Sequence, residues 1–89
     1  MQKKKLYALV DKNLSRSQQA VQAAHAVAQY LLENPDTEWA NGTLVLLKTE
    51  INEFIPYADS YFMEPDMNNK ITALTFLGND DKVKNLRLI

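Results

Sequence analysis

The chain has 89 residues, a formal net charge of −1, 46% hydrophobic residues, no cysteine, one histidine and two glycines. That composition excludes a disulfide framework, thiolate chemistry, a His-rich zinc site, a Walker loop and a dinucleotide fingerprint. No apolar run approaches the ~18 residues of a membrane span, and the chain from Met1 runs directly into a strand-like segment, so neither a membrane segment nor a signal peptide is expected.

The expectation is one soluble, cytoplasmic domain over residues 1–89, with a modest core and no metal or cofactor. Charge is unevenly spread. Residues 1–16 carry +4, residues 17–66 carry −7 and residues 67–89 carry +2. A basic patch able to hold a phosphate backbone would follow if the two ends met in the fold; otherwise Lys3, Lys4 and Lys5 are a solvated end.

Leu6-Tyr7-Ala8-Leu9-Val10 is a short apolar run with no turn residue, as in a strand buried on both faces. Asp11-Lys12-Asn13 ends it. Ser15-Arg16-Ser17-Gln18 fits a capping box, with Ser15 at the N-cap and Gln18 three residues on. The helix it opens runs to about Glu33, because Pro35 pushes Asn34 out of the helical region. Residues 35–42 form a polar loop carrying Trp39, and Thr43 to Leu47 reads as a second central strand. Glu50 to Ala58 shows helical spacing through Ile51, Phe54, Ile55 and Ala58, interrupted by Pro56. Tyr61-Phe62-Met63 is a brief strand, followed by turn signals at Glu64-Pro65-Asp66 and Asn68-Asn69. Ile71 to Leu77 is a strongly strand-like run ending at Gly78-Asn79, and Asp80 to Asn85 a final helical turn before Leu86 to Ile89. This order predicts an α/β domain with a mixed sheet.

On the first helix, Gln18, Gln22, His25 and Gln29 fall on one stripe at about 100° per residue. Val21, Ala24, Ala28, Leu31 and Leu32 form the main apolar stripe, so the helix is expected to be mostly covered by protein, with its polar stripe facing something polar. Four side chains that both donate and accept suit a ligand groove or a buried network, although glutamines are also ordinary helix formers. Asp11, Lys12, Asn13 and Gln18 belong to the loop and first helical turn beyond a strand's carboxyl end. Ligands of open α/β sheets sit there, and free N–H groups favour anions.

Leu9-Val10, Asn13-Leu14 and Ala20-Val21-Gln22-Ala23-Ala24-His25-Ala26 resemble the start of the type 2 peptidyl-tRNA hydrolases, whose helix carries Ala-Ala-Gln-x-x-His-Ala. The Thr43–Leu47 strand, the Ile71-Thr72-Ala73-Leu74 strand with Gly78, and the closing Lys82 to Ile89 follow the family's order. The resemblance implies a small four-stranded mixed sheet flanked by helices, often as a homodimer. It also implies hydrolysis, in translation, of the ester joining a peptide to the 3′ end of tRNA.

Two positions depart from the family. Its Gly-Lys-Gly-Lys run falls on Ser15 to Gln18, so the lysine usually assigned to catalysis is Gln18 here, a neutral amide, with Arg16 the nearby cation. Its Arg-Asp-Ala-Gly turn falls on Met63-Glu64-Pro65-Asp66, so Glu64 or Asp66 stands for the aspartate that would activate water. Thr72 matches a family threonine. The resemblance thus implies Gln18, Glu64, Asp66 and Thr72 for the chemistry, with Lys12, Asn13, Arg16, Gln22 and His25 for substrate. The alternatives are a non-catalytic relative that binds tRNA or another phosphate ligand through Arg16, Lys12 and Lys3 to Lys5, and a protein-interaction module.

Overall fold

The computed structural model describes residues 4–78 and 80–89; Lys3 of the basic run and Asn79 of the turn after the long strand lie outside the described residues. Among the described residues the domain is a five-stranded mixed sheet with two helices. β1 (Lys5–Asp11) pairs in parallel with β2 (Thr43–Thr49), and α1 (Arg16–Glu33) connects them. β3 (Ser60–Glu64) and β4 (Lys70–Leu77) are antiparallel, and β4 lies against β1 on the side away from β2. β5 (Arg87–Leu88) closes the far edge against β2, giving the order β3-β4-β1-β2-β5. α2 (Asp80–Val83) is a single turn.

The strand count corrects the four-stranded expectation. β5 has only two residues, too few to leave a periodic pattern, and it pairs Leu88 with Leu47 and Arg87 with Lys48. The helix expected over Glu50 to Ala58 is two tight 3₁₀ turns, Ile51–Glu53 and Ile55–Tyr57. Pro56 has no N–H to donate and its ring would clash with the carbonyl four residues back, so the chain takes the short form.

α1 begins where the capping box places it. Ser15 Oγ accepts from the Gln18 N–H at 3.2 Å, and Gln18 Oε1 accepts from the Ser15 N–H at 3.0 Å. The helix ends at Glu33, ahead of Pro35.

β1 is buried on both faces from Leu6 to Val10. On one face Tyr7 and Leu9 pack with Leu74, Phe76, Leu47 and Ile51 beneath the 3₁₀ turns and Val83 of α2. On the other, Val10 and Ala73 meet Ala23 and Ala26 of α1, while Leu6 meets Tyr30 and Trp39. Each large side chain so buried contributes about 1.5–3 kcal/mol. Trp39 and Tyr30 are therefore core residues. The Trp39 indole N–H donates to the Thr43 carbonyl at 2.9 Å, and the Tyr30 hydroxyl pairs with Thr37.

The face that α1 buries differs from the expected one. Gln19, Gln22, Ala23, Ala26 and Tyr30 turn inward, while Val21, Ala24, Ala28, Leu31 and Leu32 face outward, Val21 at 53% and Leu32 at 78% exposure. The alanines let the helix approach the sheet, and the buried amides are satisfied. Gln19 Nε2 donates to the carbonyls of Leu14 at 3.0 Å and Lys12 at 3.3 Å, closing the loop that enters the helix. α1 lies over β1, β4 and β3, which leaves the helix-side face of β2, with Leu44 and Leu46, beside an open apolar groove.

Of the two basic ends, Lys12 shares a groove with Lys48 and Arg87, whereas Lys4 and Lys5 lie apart from it. Lys5 is opposite Thr43 at the start of β2, whereas Arg87 is opposite Lys48 five residues on, about 17 Å away at strand spacing. Lys4 instead pairs with Glu38 at 3.0 Å.

Tyr7 donates to the Asp80 carboxylate, and burial, that hydrogen bond and the Asp80 charge push its phenol up to about 12. The raised value favours the protonated, folded form. Its stabilisation is complete below about pH 10, where the unfolded phenol is also protonated, and fades as pH rises through 10 to 12. Tyr7→Phe should therefore flatten the loss of stability between pH 10 and pH 12, measured as the shift in urea midpoint.

Candidate functional site

The turn from β3 to β4 is built from sequence signals read locally. Pro65–Met67 forms a 3₁₀ turn, and Asn68 and Asn69 follow at φ 55° and 58°, a left-handed pair that asparagine tolerates. The Asn69 N–H returns to the Glu64 carbonyl at 2.9 Å. This holds Glu64 and Asp66 opposite the first turns of α1. Between them lies a cleft of about 390 Å³, with Ser17, Gln18, Val21 and Gln22 on the helix side and Glu64, Asp66 and Met67 on the turn side.

Behind the cleft runs a hydrogen-bond relay. The Thr72 hydroxyl, fully buried, donates to Gln22 Oε1 at 2.6 Å, and Gln22 Nε2 donates to Glu64 Oε1 at 3.4 Å. Thr72 reaches Gln22 because β4 is irregular at this point. Phe62 faces Ala73 and Met63 faces Ile71, so Thr72 is the extra residue of a bulge. Strict alternation would turn Thr72 away from Ala73; the bulge re-aims it toward α1. The relay sets the Gln22 amide with its nitrogen toward Glu64 and leaves the second Glu64 oxygen for another partner.

The other site residues of the sequence reading fall into three groups. Gln18 borders the cleft, but its amide oxygen is folded back on Ser15 as half of the capping box. Arg16 is exposed on the same first turn, with no ion pair among the described residues. A cation at a helix N-terminus opposes the helix dipole, so its position is unfavourable for α1 alone and suits an anionic ligand.

Lys12 and Asn13 point elsewhere. Lys12 pairs with Glu50 at 3.3 Å in a separate groove that also holds Lys48, Arg87 and Glu53. Asn13 donates through its backbone and side-chain nitrogens, at 3.0 and 3.1 Å, to Asp11 Oδ1. His25 lies outside the cleft, its ring stacked on Phe62 at 4.4 Å between centroids.

Two features escaped sequence reasoning. Asp11, buried at the end of β1, accepts from Asn13 and pairs with Lys70 at 3.3 Å, tying the loop before α1 to the strand that carries Thr72. No spacing rule connects positions 59 residues apart. Farther along α1, Glu33 accepts from the Ser60 hydroxyl and the Gln29 amide, both at 2.7 Å, and these bonds hold its carboxyl below the usual range. The polar stripe of α1 therefore faces β3 along its length. Among the described residues, no three acidic or histidine side chains gather in a metal-ligating group.

Because Gln18 caps α1, replacing it by lysine removes the acceptor for the Ser15 N–H. Gln18→Lys should lower stability by about 0.5–1 kcal/mol, read as the shift in the thermal midpoint.

The fold and cleft define a small α/β domain with a mixed sheet and a carboxylate held over a helix start. Compared with protein-family models, curated proteins and solved structures, the chain finds no match.

Proposed function

We propose that this domain is a type 2 peptidyl-tRNA hydrolase-like esterase, cleaving the ester between a peptide and the 3′ end of tRNA. The observation that carries the reading is the Thr72–Gln22–Glu64 relay, which holds a carboxylate across a 390 Å³ cleft from the first turn of α1. Of the two acids in the turn, Glu64 is the one in this relay. Its free oxygen takes a proton from water as the water oxygen bonds to the ester carbonyl carbon. The Arg16 and Ser17 N–H groups at the start of α1, which have no intrahelical acceptor, face the oxyanion that develops, while the Gln18 N–H is held by Ser15. When the carbonyl re-forms, the bond to the ribose oxygen breaks and that oxygen takes up the proton. The products are a peptide acid and tRNA with a free hydroxyl.

Arg16 meets the terminal phosphates, and Gln18 and Gln22 contact the acyl end. Gln22 and Thr72 also position Glu64. His25 is a packing partner of Phe62 in this scheme, Lys12 serves the loop, and Asp66 borders the cleft without entering the relay. A homodimer, which the same resemblance implies, would cover the exposed apolar face of α1 beside Leu44.

The test is peptide release from an N-blocked aminoacyl-tRNA. Replacing both Glu64 and Asp66 by alanine should abolish turnover; undiminished release would remove the carboxylate turn from the chemistry. One specific observation favours the second reading, a non-catalytic tRNA or phosphate-ligand binder: the cleft has a neutral Gln18 where the family has lysine, and Arg16 stands exposed beside it. That reading predicts salt-dependent RNA binding, lost in Arg16→Ala, without peptide release.

A further inference from the structure

Among the described residues β3 is an edge strand of the sheet, five residues and about 13 Å long, and most of it lacks the usual protection. It contains no proline or lysine, its one charge is Glu64 at the end, and Tyr61 and Met63 stand out at 44% and 49% exposure. The bulge beside it belongs to β4, so the backbone of β3 itself is continuous. Along this strand runs a groove of about 380 Å³, bounded by Tyr61, Phe62 and Met63 and, on the α1 side, by Gln29 and Glu33. At the Glu64 end of the strand lies the cleft described above.

We propose that the outer edge of β3 binds an extended peptide as a sixth strand, and that this peptide is the acyl part of the substrate. The identity of the peptide rests on the esterase reading; the strand addition rests on the edge. Main-chain groups of Ser60 to Glu64 supply the hydrogen bonds, and alternate peptide side chains lie against Tyr61 and Met63. Affinity of this kind comes from the backbone, so it tolerates many sequences, as an enzyme acting on arbitrary nascent peptides requires.

Direction follows from the chemistry. The ester carbonyl must reach Glu64, so the peptide's C-terminal residue lies at the Glu64 end and the peptide runs parallel to β3. Its amino-terminal portion then lies by Ser60 and the Glu33 carboxylate, which suits a free α-amino group. The product peptide carries a new C-terminal carboxylate facing Glu64, and like charges there favour its departure.

The test uses peptides alone, without RNA or turnover. An acetylated pentapeptide amide of alternating valine and threonine is titrated into the isotopically labelled protein and followed through the backbone amide signals. Perturbation should centre on Tyr61, Phe62 and Met63. Two N-methylated versions, blocked at odd or at even positions, decide the mode, because only alternate amides of an added strand face its partner. One version should bind at least about tenfold more weakly, as expected for two lost hydrogen bonds, and the other like the parent. The free acid should bind a few-fold more weakly than the amide, a gap that Glu64→Gln narrows.

Equal binding of both N-methylated versions, signals centred on the α1 and Leu44 face, or no binding at millimolar peptide would overturn the inference. Hydrolysis of peptidyl-tRNA without edge pairing overturns this inference alone. Edge pairing in a protein that hydrolyses nothing overturns the esterase reading and leaves a peptide-binding edge.

Discussion

Glu64→Gln is expected to lower the rate of peptide release from peptidyl-tRNA by roughly 10²–10⁴, the usual worth of a positioned general base. The amide keeps the size and an oxygen for Gln22 Nε2, 3.4 Å away in the parent structure, so the relay and the turn should survive. What disappears is the capacity to take a proton from water. Stability should change by less than about 0.5 kcal/mol, since Glu64 is only half-buried and its hydrogen bond is replaceable. Asp66→Asn, on an exposed side chain outside the relay, should reduce the rate far less. A single-turnover assay on both variants, beside a thermal melt, separates chemistry from folding. Equal losses in the two variants would put the acids in a shared role rather than in the order the relay indicates.

Thr72→Val is the second large effect. Valine matches threonine in shape but cannot donate to Gln22 Oε1, and the site is fully buried, so no water replaces the bond. The orphaned amide oxygen costs about 1–3 kcal/mol. For a domain of this size that shifts the melting midpoint by about 4–8 °C per kcal/mol. The amide is then free to turn over, and with its oxygen toward the Glu64 carboxylate it repels what it previously held. The rate should fall about tenfold through misplacement of Glu64, with Thr72→Ser, which restores the donor, recovering most of it. Gln22→Leu combined with Thr72→Val removes both partners, and its stability should lie above the sum of the two single losses. A rate unchanged by Thr72→Val would leave the buried bond purely structural.

Much of this fold was legible because its signals are local. The capping box at Ser15 and Gln18, the stop before Pro35, the unbroken apolar run of β1 and the Asn68-Asn69 turn each require only neighbouring residues, and each stands where it was read. The buried face of α1 was not legible. The apolar stripe was expected to turn Leu31 and Leu32 inward, whereas Gln19 and Gln22 are buried instead, Gln22 in a network that the polar stripe allowed; burial of an amide costs little once its partners are in place. Those partners are the carbonyls of Lys12 and Leu14 and the hydroxyl of Thr72, the last 50 residues away.

The relay depends in the same way on a bulge, and one added residue in a ladder has no signature in the pattern of Ile71 to Leu77. Pro56 was visible as a breaker, but its outcome, two 3₁₀ turns over the Tyr7–Phe76 face, is decided by the packing of Ile51 and its neighbours. Among the candidate site residues, Gln18, Gln22, Glu64 and Asp66 share one cleft with Thr72 behind it, while Lys12, Asn13 and His25 are engaged by Glu50, Asp11 and Phe62. Their partners lie in segments that a linear reading treats separately.

The most direct measurement is peptide release from an N-blocked aminoacyl-tRNA by the native protein, run beside Gln18→Lys and Glu64→Gln. The esterase reading predicts turnover by the native chain, with its neutral Gln18, and its loss in Glu64→Gln. Silence from the native protein, with turnover only in Gln18→Lys, would contradict esterase activity and leave the cleft to a ligand that is bound but not cleaved.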